Sequence, residues 1–136
     1  MTANFSYRSL IAFAAWTSLA AIAYATVTRV GFVYSLYFKL YPILFRPEMR
    51  AYAHFEHVIA FAVFGALFCF AYPRHVALVS CLVLGSAVVL EMLQTLTPDR
   101  HGTVIDAAEK IAGGVIGIVG ARIALRFAQH RRTDAS

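Results

Sequence analysis

Between Arg8 and Arg29 the chain places no charged residue for twenty positions, 9–28, with Trp16 and Tyr24 among them. At ~1.5 Å per residue such a helix matches the ~30 Å hydrocarbon core of a bilayer. Further apolar runs follow at 58–72, from 76 up to Glu91, and beyond Lys110. In lipid every backbone polar group needs a partner within the protein, so only helices or a closed barrel can cross. These runs are too long and too evenly apolar for the alternating strands of a barrel. The expectation is an all-α integral membrane protein, a single membrane domain over 1–136. A composition of 60% hydrophobic and 14% charged residues excludes an ordinary soluble domain of this length.

The formal charge of +5 does not point to nucleic acid, because the basic residues flank apolar segments instead of forming one stripe. Cys69 and Cys81 both fall inside apolar segments without metal-ligand spacing, and read as packing thiols.

Helices are expected at about 9–28, 54–72, 76–96 and 103–127. The first has a rival reading as a cleaved signal peptide, since Arg8, an apolar core and Ala23-Tyr24-Ala25 imitate its three parts; the length of the run favours a spanning helix. Segment 30–50 mixes Phe32, Tyr34, Tyr37, Phe38, Tyr41 and Phe45 with Lys39, Pro42 and Arg46. Rings with polar tips suit headgroup depth, so it reads as an interfacial or re-entrant segment, with a plain connecting loop as the alternative. Pro73-Arg74-His75 and 97–102 make tight turns, giving four transmembrane helices in an antiparallel bundle. Thr103 is placed to cap the last helix, with Asp106 three residues on.

The polar side chains collect at one level. Counting from the Arg74 turn, His57 lies ~25 Å along its helix and Glu91 ~25 Å along the next; counting back from Arg126, Lys110 lies ~24 Å away and Asp106 ~30 Å. Ionisable groups at membrane depth are costly enough to be functional candidates. Asp106, Lys110, Gly113 and Gly117 recur at i, i+4, i+7 and i+11, one face of a helix, and glycines so spaced admit a close helix neighbour. They also offer a face to a second copy of the chain. Glu91 and Gln94 share a face, as do His54, His57 and Phe61. Each feature has a plainer reading. Asp106 and Lys110 suit an i, i+4 ion pair, and Glu91 a neutral buried acid or a partner for Arg100. His54 and His57 near acids could ligate a metal, but histidines at helix ends are more often solvated or hydrogen-bonded, so neither a metal nor a cofactor is expected.

The pattern Glu91-x-x-Gln94, Pro98-x-Arg100, Asp106 and Gly113-x-x-x-Gly117, with His57 followed by Phe61, resembles the VanZ-like family of small membrane proteins over about residues 52–120. It departs from the family at Ala53-His54, where an Asp-Lys pair is frequent, and at Lys110, where an Asn is. The resemblance implies four membrane helices with the motif residues on the non-cytoplasmic side, and an association with teicoplanin resistance rather than a defined reaction. Lysines and arginines divide six and six between the two sides. Six of the seven acids lie opposite the termini, so the arginine-dense C-terminus and the resemblance together favour cytoplasmic termini in a multi-pass protein of the cytoplasmic membrane.

Three functions fit these residues. The first is a polar pocket holding an amphipathic ligand such as a membrane lipid or lipid-linked glycan, with Arg100 clamping phosphate or carboxylate, Asp106 orienting it, and His57, Glu91 and Gln94 positioning the polar end. His54 and Lys110 complete this candidate set. The second is an enzyme using Glu91, His57 or Asp106 as acid or base, although no serine elbow or phosphate-cradling loop accompanies them. The third is a structural subunit whose polar layer fixes helix register.

Overall fold

The computed structural model describes residues 6–27, 50–96 and 103–133, the side chains at 50–55 and 132–133 excepted. These residues form four helices: α1 (Tyr7–Val27), α2 (Arg50–Ala71), α3 (Val76–Thr95) and α4 (Val104–Thr133). There is no strand among the described residues. The aromatic segment expected at 30–50 lies outside them, apart from the backbone of Arg50.

Among the described residues, three helices carry stretches long and apolar enough to cross a membrane, Tyr7–Ala25, Val76–Thr95 and Val104–Arg131, while the described side chains of α2 offer the apolar stretch Glu56–Ala71. The outward surface agrees with that chemistry. Leu10 and Phe13 on α1, Ile59 and Val63 on α2, Leu78 and Val89 on α3, and Ile116 and Val119 on α4 are all exposed. A water-facing monomer rarely spreads apolar side chains over every element, whereas a lipid-facing one must.

Inside, Phe61, Phe64 and Phe68 make a stripe at i, i+3 and i+7 along α2, and Tyr72 follows just past its end. Phe61 meets Phe64 edge-on at 5.6 Å between centroids, and Phe64 meets Phe68 at 5.0 Å. Such edge contacts contribute about 0.5–1.5 kcal/mol each beyond burial. Trp16 of α1 lies edge-on to Phe68 at 5.3 Å and donates its Nε1–H to the Tyr72 hydroxyl at 3.1 Å, which fixes α1 against α2. Val79, Val83, Ala87 and Leu90 close the core from α3, and Ile118 and Ala121 from α4.

The tightest contact joins α2 to α4 through glycine. A Cβ at Gly113 would collide with the backbone of Val58 and one at Gly117 with the backbone of Ala62, while a Cβ at Gly65 would stand 2.7 Å from the Gly114 carbonyl oxygen. Residue numbers therefore rise together along these two helices. Small residues let helix backbones approach where lipid offers no hydrophobic drive to association. The stripe that could have met a second copy is thus occupied within the chain at Gly113 and Gly117, while Gly120, further along α4, has open space beside it. At the other end Arg122 donates to the Pro73 carbonyl at 3.2 Å, tying α4 to the turn between α2 and α3.

Candidate functional site

The first turns of α4 gather polar groups from α2 on one side and from α3 on the other. Thr103 starts the helix: its Oγ1 accepts the Asp106 backbone N–H at 3.1 Å, and its carbonyl accepts that of Ala107 at 3.1 Å. A capping hydroxyl satisfies a donor the helix leaves without an internal partner. Thr103→Ala is therefore expected to lower stability by about 0.5–2 kcal/mol, read as a shift in the unfolding midpoint, with Thr103→Ser recovering most of it.

Glu91, near the end of α3, completes this entry. One carboxylate oxygen accepts the Thr103 backbone N–H at 2.7 Å, and the other is ion-paired and hydrogen-bonded to the Lys110 ammonium. Both side chains are buried, at 9% and 4% exposure. The two formal charges cancel, and the acid stands at the positive end of the α4 dipole. The Gln94 amide rests against both. In one orientation its oxygen accepts from Lys110 at 3.4 Å, and in the other its nitrogen donates to both Glu91 oxygens at 3.3 Å.

On the α2 side, His57 Nδ1 lies 3.9 Å from an Asp106 carboxylate oxygen and 3.8 Å from one of Glu109. The candidates thus fall into two groups sharing α4: Glu91, Gln94 and Lys110 towards α3, and His57, Asp106 and Glu109 towards α2. Lys110 pairs across helices with Glu91 and not one turn back with Asp106. Arg100 lies outside the described residues, as does the side chain of His54. Gly113 and Gly117 continue the α2 side inward.

Glu109 was not singled out from the sequence. Its signal was its place three residues after Asp106, which gives the two acids a common face.

Beside Glu91 a cleft of about 240 Å³ opens between α3 and α4, lined by Val88, Met92, Val104 and Ala107 together with Glu91, Thr95 and Thr103, and almost wholly apolar at its surface. It can take an apolar chain along its walls.

Comparison with protein-family models, with curated proteins and with solved structures returned no match.

Proposed function

We propose that the chain is a VanZ-like, multi-pass protein of the cytoplasmic membrane that binds an amphipathic cell-envelope ligand, a membrane lipid or lipid-linked glycan, at its non-cytoplasmic face. In this reading four helices cross in alternating directions as an antiparallel bundle, with both termini cytoplasmic. The observation that carries it is the apolar cleft between α3 and α4 that runs alongside the buried Glu91. The tail of an amphipathic ligand matches the apolar walls of that cleft. Lys110, the Thr103 N–H and Gln94 hold the carboxylate beside the cleft. Arg100, which the sequence places between Glu91 and Thr103, supplies the phosphate or carboxylate clamp, since a guanidinium donates two parallel hydrogen bonds. The family's link to lipoglycopeptide resistance fits a ligand of the cell envelope, although fold-level likeness alone does not assign it.

Native mass spectrometry of the detergent-purified protein tests this. A defined lipid adduct is expected on the unaltered chain, lost in Arg100→Ala and weakened at least tenfold in Ala107→Trp, which fills the cleft. The same bulk phospholipids on all three proteins would remove the reading.

A further inference from the structure

The cluster on the α2 side of α4 has a chemistry that the cleft does not use. The His57 imidazole and the carboxylates of Asp106 and Glu109 each direct one donor atom inward, and the three atoms lie within 4.8 Å of one another. His57 Nδ1 is buried and has no hydrogen-bond partner among the described residues, although the ring itself is 40% exposed. A nitrogen in that position faces two acids at 3.8 and 3.9 Å, too far for a hydrogen bond and close enough to share an ion.

We propose that His57, Asp106 and Glu109 form a binding site for a first-row divalent transition metal of the Mn²⁺, Fe²⁺ or Zn²⁺ class. Bonds of ~2.0–2.2 Å to nitrogen and carboxylate oxygen put neighbouring donors roughly 3–3.5 Å apart. Closing from the observed spacing takes under about 1 Å per donor, within reach of side-chain rotation in Asp106 and Glu109. The backbones need not move. Val58, the residue after His57, is the one on which Gly113 packs, so α2 and α4 are held at fixed separation beside the site. One imidazole among carboxylates favours a transition metal over Mg²⁺ or Ca²⁺, which take oxygen throughout. A dication with two carboxylates and a neutral imidazole sums to no net charge, which suits a position near the membrane edge. The positive end of α4 opposes a cation there, but its equivalent of about half a charge is outweighed by two full negative ones. Three protein ligands leave coordination positions for water or a ligand, and the exposed part of the His57 ring marks the way in.

The inference stands apart from the lipid reading, and its test has a different readout. The full-length protein, purified in detergent and stripped with a chelator, is titrated with Co²⁺ and followed by its visible absorption, with Mn²⁺ followed by electron paramagnetic resonance. One saturable equivalent per chain is expected, undiminished by excess Mg²⁺. His57→Ala and the near-isosteric Glu109→Gln are each expected to weaken it at least tenfold, while His75→Ala, at the far turn, leaves it unchanged. Circular dichroism and gel filtration establish that each variant is folded. Displacement of Co²⁺ by Mg²⁺ would overturn the proposal, as would equal binding to the unaltered and Glu109→Gln proteins.

Discussion

Lys110→Met is expected to cost about 3–5 kcal/mol of stability, because it strands the Glu91 carboxylate in a site from which water has been removed. The Lys110 side chain is 4% exposed and that of Glu91 9%, so neither can recover its lost partner by turning to solvent. The Thr103 N–H stays on one oxygen, which is why the expected cost is not higher. Removing both charges together, as Glu91→Gln with Lys110→Met, is expected to restore most of the loss: an amide still accepts from Thr103, and no charge is left unpaired. Equilibrium unfolding in mixed micelles of the two single variants and the double gives the coupling directly. A single substitution costing less than about 1 kcal/mol would show the pair to be hydrated, and a double no better than Lys110→Met would show the ion pair not to be the source of the loss.

Gly117→Ala and Gly113→Ala are the next largest. Each new Cβ meets backbone, of Ala62 and Val58 respectively, and backbone cannot yield by rotating a side chain. Forcing the helices apart is expected to cost about 1–3 kcal/mol per substitution. Gly120→Ala lies on the same helix with nothing within 4 Å, and there the better helix former is expected to be neutral or to stabilise by up to about 1 kcal/mol. The contrast separates a packing effect from a loss of glycine as such. Equal effects at Gly117 and Gly120 would place the close contact elsewhere. Because Gly113 lies beside Val58, its substitution is also expected to weaken metal binding at His57.

The helices were legible because charge-free runs are read directly from the sequence, yet their ends were not. Helix α2 begins at Arg50, before the expected 54, and α4 continues to Thr133, past 127. Apolar runs mark the part of a helix that suits lipid, whereas Arg50, Glu56, Arg126 and Arg131 are all compatible with a helix continuing into a polar layer. Counting rise placed His57, Glu91, Asp106 and Lys110 at one level; which of them touch depended on direction around α4. At about 100° per residue, Glu109 lies roughly 60° to one side of Asp106 and Lys110 roughly 40° to the other. That rotation carries Glu109 towards His57 and Lys110 towards Glu91. The sequence could not place α2 and α3 on those two sides, so the adjacent pair Asp106 and Lys110 was the nearest available reading.

The glycine contact also bears on how such a chain is made. Synthesis proceeds from the N-terminus, so α2 is finished before α4 exists. Its charge-free run, 58–72, is shorter than the ~20 residues that hold a solitary helix across a bilayer, and its natural seat is the groove of a helix still to be translated. If α2 crosses the membrane, its final depth is set only when α4 arrives, and packing of the two helices waits on that later synthesis.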